Sequence, residues 1–317
     1  MHRVSRPLTL SACLLILIPT ASRAQSLEGR VVRVMASGER FGSATTPVQL
    51  HRVSPAGGSV VDSSVAGPEG RFVFSLPADP GGQTVFVTSA RHQGILYLGP
   101  PVHEGTSVPD PYEIAVYDTA AVSVPVDLDV VMRHVVLTPL AGGLQVGEFL
   151  DVAGEVDRTL VASDPGVPVW SANLARGAHG VTTRANGGIL DVKTTDETVH
   201  LDGWLTPSGA RLSLEYVLPG DRYDLELDHF TSRIEVIVSG ARDEATAEGL
   251  SASPSPDRTV QRFSGSDLPA GTRVRVRVPT PSDGGTWAWV WLLAGVVLSG
   301  AAALTWLAGR RHELDPS

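Results

Sequence analysis

The sequence predicts an all-β protein with two β-sandwich domains in tandem, followed by one C-terminal transmembrane α-helix. The chain of 317 residues contains 33 glycines and 23 prolines, residue types that often form turns. Between these turns the apolar runs are short and rich in valine, which is typical of β-strands. Near the C-terminus, residues 287–309 form an uninterrupted run without charge that is long enough to cross a bilayer.

An N-terminal signal peptide is predicted over residues 1–24. A basic start precedes an apolar run at residues 8–18, and cleavage after Ala24 would put the small residues Ser22 and Ala24 where signal peptidase prefers them. The alternative is a lipoprotein signal, because Cys13 ends a short sequence that matches a lipoprotein cleavage box. The longest apolar stretch follows Cys13 instead of preceding it, which favours the cleaved signal peptide.

The cysteine content and the net charge of the chain exclude some classes of function. Cys13 is the only cysteine, so the chain after the predicted signal peptide contains no thiol and no disulfide, and its stability must come from packing. The formal net charge is −9 at pH 7, and the predicted signal peptide contains basic residues but no acidic ones. The exported part is therefore more acidic still, which argues against a nucleic-acid partner.

Residues 25–105 are predicted to form the first sandwich, because apolar and polar residues alternate between turns spaced about ten positions apart. Five strands are expected, at residues 29–34, 47–53, 70–76, 83–88 and 94–98.

The order of motifs in this first domain resembles a known family. Gly29-x-Val is followed by Pro47-Val-Gln-Leu and then, at residues 67–77, by Gly-Pro-Glu-Gly-Arg-Phe-Val-Phe-Ser-Leu-Pro. This order is similar to that of the carboxypeptidase regulatory-like domain, also called transthyretin-like or prealbumin-like. The resemblance implies a β-sandwich that acts as an accessory, spacer or binding module, with no catalytic residues to carry over.

Residues 106–240 are predicted to form a second sandwich, Ig-like or prealbumin-like. Its strands are expected at residues 114–117, 122–137, 144–153, 188–192, 198–205, 212–217, 223–227 and 233–238. Residues 241–286 are predicted to contain an exposed loop at 242–257, a hairpin that pairs residues 259–263 with 272–278, and a short linker.

The transmembrane helix is predicted at residues 287–309, with a cytoplasmic tail at 310–317. Tryptophans such as Trp287 and Trp306 lie near its two ends, as they do in aromatic belts at membrane interfaces. The pair Arg310-Arg311 follows at once and favours a cytoplasmic C-terminus. The alternative for this segment is a buried core helix.

The chain contains no catalytic motif that we recognise: no nucleophile elbow, zinc-protease helix, phosphate-binding glycine loop or dinucleotide fingerprint. We therefore predict neither catalytic residues nor a cofactor. A metal site would require His92, His103 and Glu104 to converge, which needs the loop after Gly99 to fold back. Solvated histidines are the alternative, and we favour them.

Two segments carry stripes of charge. Asp224, Glu226 and Asp228 alternate with leucines just after Asp221, which fits a solvated strand face better than a calcium site, because the EF-hand spacing is missing. A second stripe, in which the basic residues alternate with valines, consists of Arg273, Arg275 and Arg277.

Two roles are open for the arginine stripe. If the two charged strands are neighbours in one sheet, the arginines are balanced by carboxylates and are structural, and we favour this pairing. If the strands are far apart, Arg273, Arg275 and Arg277 become the candidate contact with an anionic surface such as lipid head groups.

The functional prediction is a non-catalytic, single-pass protein of the cell membrane. Its β-sandwich modules would lie outside the cytoplasm and hold a protein or glycan partner beside the bilayer. The alternative is an anchored enzyme or a metal-handling accessory protein that uses an unrecognised site.

Overall fold

Alternation of apolar and polar residues forms strands throughout the described part of the chain. In the strand Arg71–Leu76 exposed and buried residues alternate without interruption, and the same is true of Arg273–Arg277. Successive side chains of a strand point to opposite faces, so each of these segments places one set of side chains in a core and the other in solvent. The predicted all-β class is confirmed.

The computed structural model describes residues 25–279 except 56, 78–83, 104–105, 155–156, 187–190, 241–244 and 256–259. The predicted signal peptide at 1–24, the transmembrane helix at 287–309 and the tail at 310–317 therefore lie outside the described residues. Within the described ranges, no helix combines the length and the apolar character needed to cross a membrane.

The described residues divide into two compact units. The first contains the chain up to Ala120 and a short segment that ends at Thr159, and the second contains the remainder from Ala121 onwards. The division falls inside a strand, Glu113–Val122, and not at the expected boundary between residues 105 and 106.

The first unit contains two sheets. The strands, in chain order, are β1 (Gln25–Val34), β2 (Arg40–Gly42), β3 (Pro47–Ser54), β4 (Gly57–Val65), β5 (Arg71–Leu76), β6 (Val85–His92), β7 (Ile95–Leu98), β8 (Val102–His103) and β9 (Glu113–Val122). In one sheet β1 is central, antiparallel to β2 and β5 and parallel to β9. The other sheet has the order β4-β3-β6-β7, with β8 also paired to β6.

Each sheet of the first unit has a buried apolar face. Leu27, Phe74 and Ile114 are buried in the sheet around β1, and Leu50 and Phe86 are buried in the sheet around β3. One buried face on each of two sheets is the sandwich-like arrangement expected for this part of the chain.

The second unit is built around a seven-stranded sheet. The remaining strands of the chain, in order, are β10 (Val130–Leu140), β11 (Gly143–Val152), β12 (Arg158–Ala162), β13 (Trp170–Asn173), β14 (His179–Asn186), β15 (Asp191–Thr195), β16 (Thr198–Asp202), β17 (Trp204–Leu205), β18 (Ala210–Pro219), β19 (Arg222–Glu226), β20 (Thr231–Ser239), β21 (Thr246–Glu248), β22 (Ser251–Ser253), β23 (Val260–Leu268) and β24 (Arg273–Arg277). Of these, β12 begins in the short segment that belongs to the first unit. The large sheet has the order β14-β18-β11-β10-β20-β23-β22. Two three-stranded sheets, β13-β16-β15 and β19-β24-β21, complete the unit.

The predicted hairpin of residues 259–263 with 272–278 is wrong. β23 pairs with β20 and β22, whereas β24 pairs with β19 and β21, so the two strands lie in different sheets. Phe263 of β23 lies opposite Val236 of β20, and Arg273 and Arg275 of β24 lie opposite Glu226 and Asp224 of β19.

The expected exposed loop at residues 242–257 is also partly ordered into strands. β21 and β22 are each three residues long and lie at the edges of two sheets. The described strands between residues 246 and 277 therefore belong to sheets of the second unit.

Candidate functional site

The arginine stripe lies on β24, the central strand of the sheet β19-β24-β21. Val274 and Val276 are fully buried on one face of β24, and the arginines are exposed on the other. The alternation that the sequence shows therefore places Arg273, Arg275 and Arg277 together on one solvent face.

The predicted pairing of the acidic and basic stripes is confirmed for two of the three arginines. Arg273 lies opposite Glu226, with 2.5 Å between Nη2 and Oε2. Arg275 lies opposite Asp224 at 3.5 Å, and Glu248 of β21 approaches it from the other side at 3.2 Å.

Asp228 does not take part in the stripe. It lies beyond the end of β19, and its Oδ2 accepts a hydrogen bond of 3.0 Å from the backbone N–H of Asn173. The acidic stripe is therefore shorter than the leucine alternation predicted.

Arg277 has a different environment from the other two arginines. The residue opposite it on β19 is a second arginine, Arg222. Both contact one carboxylate, because Asp221 lies 2.7 Å from Nε of Arg277 and 3.7 Å from Nε of Arg222. Hydrogen bonding from Arg277 lowers the pKa of Asp221, so this carboxyl group remains ionised. We call Asp221, Arg222 and Arg277 the arginine pair site.

Two polar grooves border the arginine face. One, of about 410 Å³, is lined by Arg222, Thr246, Glu248, Arg275 and Arg277 among others. The other, of about 700 Å³, lies at the opposite end, where Arg176, Asp196, Glu197 and Thr198 surround Arg273 and Glu226. Guanidinium and carboxylate groups suit the binding of charged or hydrogen-bonding groups and offer little apolar surface.

A buried cluster of ionisable groups in the second unit is structural. Arg133 of β10 and Glu148 of β11 form a hydrogen-bonded ion pair with almost no exposed side-chain surface. Tyr216 donates to Oε2 of Glu148 at 2.7 Å, and Nη2 of Arg133 donates to the carbonyl oxygen of Asn173 at 2.8 Å. Burial raises the pKa of Tyr216 well above its ordinary value, so the phenol stays neutral. The side chains of Arg133 and Glu148 are thus held by hydrogen bonds inside the unit and are closed to solvent.

The hypothetical metal site does not form. His92 is the last residue of β6, whereas His103 pairs with Val85, the first residue of that strand. Nε2 of His92 lies 3.6 Å from Oδ1 of Asp118, and Glu104 is outside the described residues. Among the residues that the structure describes, no three histidine, cysteine, aspartate or glutamate side chains are grouped to hold a metal ion.

One surface of the first unit was not expected from the sequence: the outer edge of β4. This strand pairs with β3 alone in its sheet, and all its residues except Ser64 are exposed. Val60 and Val65 are 49% and 61% exposed, and Asp62 is the only charged residue of the strand. The sequence of β4, Gly-Gly-Ser-Val-Val-Asp-Ser-Ser-Val, is rich in residues that often form turns, and so it did not predict a strand.

Comparison with known proteins gives no family. No protein-family model matches the chain, and no curated protein matches it significantly. Among solved structures, a variant of an M1 zinc metallopeptidase from Deinococcus radiodurans is similar over 48% of this chain and 42% of its own, with 15% identity and a TM-score of 0.32.

The yeast LTA4 hydrolase is similar over 50% of this chain and 30% of its own, with 8% identity and a TM-score of 0.29. The chain thus spans less than half the length of either structure. Similarity at this level assigns neither a fold family nor an activity, and the resemblance of residues 25–105 to the carboxypeptidase regulatory-like domain stays a prediction.

Proposed function

We propose that this chain is a membrane-anchored, non-catalytic binding protein that captures an extended segment of a partner protein along the edge strand β4. The first and second units lie outside the cytoplasm in this proposal, and residues 287–309 anchor them in the bilayer. The observation that carries the binding role is the free edge of β4.

An edge strand is a template for another strand. The outer N–H and C=O groups of β4 face away from β3, and no strand in the described ranges pairs with them. Extended peptides add to such edges through main-chain hydrogen bonds, and alternate side chains then provide specificity. Natural proteins usually protect long edges with lysine, proline or inward-pointing charge, whereas β4 contains no lysine, arginine or proline over nine residues.

The chemistry of β4 selects a polypeptide over a glycan. The edge offers a row of backbone donors and acceptors with one irregularity, where the pairing with β3 skips Val61 and the N–H of Ser63 donates to Oδ1 of Asp62. An extended polypeptide matches such a row by main-chain hydrogen bonds. Exposed Val60 and Val65 favour β-branched or other apolar side chains in the added segment, because such residues pack well in cross-strand pairs.

Three features of the sequence support the anchor and the orientation. The predicted signal peptide directs export, the run at residues 287–309 has the length of a transmembrane helix, and Arg310-Arg311 favours a cytoplasmic tail. A partner held on β4 would then be kept at the membrane surface on the extracytoplasmic side.

Photo-crosslinking along β4 in intact membranes tests the proposal. A photoreactive residue is introduced at positions 58, 60, 61, 63 and 65 in turn, and the crosslinked peptides are sequenced. We expect the contact point to move stepwise along one continuous segment of one partner, because an added strand stays in register. The variant Val60→Lys should suppress these crosslinks, since an edge lysine opposes strand addition.

The matched control is Val131→Lys on β10, a valine of the second unit that is 50% exposed and lies on a strand paired on both sides, with β11 and β20. It should leave the crosslinks unchanged. Crosslinks that scatter over many proteins, that reach only sugars, or that survive Val60→Lys would contradict capture of a strand at this edge.

A further inference from the structure

In the arginine pair site two arginines contact one carboxylate. Within the part of the chain that the structure describes, Arg222 and Arg277 share the single carboxylate of Asp221. Arg273 and Arg275, by contrast, each face a carboxylate of their own across the sheet, at Glu226 and Asp224 respectively. Arg275 also has Glu248 beside it, so this face carries four arginines and four carboxylates, and the two arginines that share one carboxylate lie together at one end of it.

The guanidinium groups at this end have free donors. Arg222 and Arg277 are 73% and 64% exposed, and each guanidinium carries five N–H donors in a planar fork. Asp221 lies closest to Nε of both arginines, and both side chains line the groove that also contains Thr246 and Glu248. Two such forks side by side suit the oxygens of a phosphate group.

This end is also the part of the sheet from which the chain continues towards the proposed anchor. Arg277 is the last residue of β24, and only nine residues, 278–286, separate it from the run that begins at residue 287. A chain of ten Cα–Cα steps spans at most about 35 Å when fully extended. The head groups of a bilayer extend about 5–8 Å beyond its hydrocarbon core, so Arg277 is tethered within reach of them.

We propose that Arg222 and Arg277 bind the phosphates of anionic lipid head groups and so hold the second unit down on the membrane surface. This inference rests on the membrane anchor of the proposed function and is independent of strand capture at β4. The sequence suggested Arg273, Arg275 and Arg277 as the contact with an anionic surface. The proposal keeps Arg277, leaves out Arg273 and Arg275, which face carboxylates across the sheet, and adds Arg222.

The expected strength follows from the electrostatics of membrane surfaces. A basic residue near an anionic surface shifts the binding equilibrium about fivefold, so removal of both arginines should reduce the docked population relative to the undocked one by about thirtyfold. The attraction should weaken at high salt, because the Debye length falls from about 10 Å at 0.1 M to about 3 Å at 1 M.

The test uses the full chain in nanodiscs. A fluorophore is attached through Pro219→Cys, an exposed site two residues before Asp221, and the lipids carry a quencher on a fraction of their head groups. This label is unique because the chain has no cysteine other than Cys13 of the predicted signal peptide. We expect stronger quenching in nanodiscs that contain phosphatidylglycerol than in those of phosphatidylcholine alone.

Two variants make the result specific. Arg222→Ser combined with Arg277→Ser should abolish the dependence on phosphatidylglycerol, whereas Arg273→Ser, at the far end of the same strand, should preserve it. Equal quenching in both lipids, or equal loss in the Arg273→Ser control, would overturn the proposal. Complete reversal by inorganic phosphate at constant ionic strength would also overturn it, because the site would then be a site for free phosphate.

Failure of the anchor can be distinguished from failure of this contact. A chain that co-elutes with the nanodiscs but shows no lipid-dependent quenching refutes the head-group contact and leaves the anchor standing. A chain that does not co-elute with the nanodiscs refutes both.

Discussion

The ion pair of Arg133 with Glu148 is fully buried, which is unusual for arginine and glutamate. Two charges removed from water require excellent mutual geometry and further hydrogen bonds, and here Tyr216 and the carbonyl of Asn173 supply them. The net contribution of the pair to the free energy of unfolding is therefore smaller than the loss of stability that follows when one partner alone is removed.

The first prediction concerns the removal of one partner of this pair. Glu148→Leu should lower the free energy of unfolding by about 3–5 kcal/mol, because the guanidinium of Arg133 is left buried without a counter-charge. The combination of Arg133→Met with Glu148→Leu should recover most of that loss, since it removes both charges. Urea unfolding of the full chain in detergent, followed by tryptophan fluorescence, measures both values. A double variant as unstable as the single one would contradict this account.

The second prediction concerns pH. Burial lowers the pKa of His134 below its ordinary value, although Glu235 lies 3.2 Å from its ring nitrogen. As the pH falls below about 6.5, the unfolded chain takes up a proton at this histidine before the folded chain does. The free energy of unfolding should therefore decrease as the pH falls through this window.

His134→Gln should remove that part of the pH dependence, as measured by urea unfolding at a series of pH values. The matched control is His179→Gln on β14, at an exposed position, which should leave the slope unchanged. An identical slope in the chain with and without His134 would refute the assignment.

At the scale of single elements, the turn before β5 depends on Gly70. This residue has φ of +76°, a conformation that costs other residues about 1–2 kcal/mol, and a Cβ there would collide with the carbonyl oxygen of Val31 in β1. The Gly-Arg-Phe step at residues 70–72 thus has a physical reason: the glycine allows the close approach of the turn to β1.

The third prediction separates the two costs at this glycine. Gly70→Ala should destabilise the chain by more than Gly94→Ala, because Gly94 also has positive φ, +83°, but has open space where the Cβ would be placed. We expect about 1–2 kcal/mol for Gly94→Ala, which is strain alone, and a larger loss for Gly70→Ala. Thermal unfolding of both variants checks the order, and equal losses would show that the clash with Val31 is relieved at no cost.

The strands that the sequence predicted are those with a clear period of two. β5 and β24 alternate without a break, and so their bounds and exposed faces were predictable. β4 was missed because its residues are polar or small on both faces, a pattern that an edge strand tolerates since neither face is buried. The alternation of apolar and polar residues indicates which side chains are buried. It therefore does not predict a strand that is held by backbone hydrogen bonds alone.

Pairing partners were less predictable than strands. Neighbouring strands in sequence pair often, which is why β23 and β24 were expected to form a hairpin. Their actual partners β20 and β19 precede them in the chain, and only the charge stripes indicated one of these pairs. Arg222 could have been found by the same signal, because it alternates with Asp224 and Glu226 and so faces the same side.

The fourth prediction concerns the topology of the whole molecule. If residues 25–286 lie outside the cytoplasmic membrane and residues 310–317 inside, a reporter fused after Ser317 that is active only in the cytoplasm should be active. The reason is that Arg310-Arg311 resists translocation. Substitution of both arginines by glutamate is the informative control, since it should reduce the cytoplasmic signal. Activity of a reporter that works only outside the cytoplasm would show that the orientation is wrong.

The parallel pairing of β1 with β9 has a kinetic consequence. The ion pair between these strands, Arg33 with Asp118, joins residues 85 positions apart, and the hydrogen bond of Thr138 with Ser239 in the second unit spans 101 positions. Contacts so distant along the chain make folding slow, in the range of milliseconds to seconds. Neither unit can complete its central sheet while only a short segment of the chain has been synthesised. The polypeptide would therefore stay unfolded, and so able to pass through an export channel, during translocation.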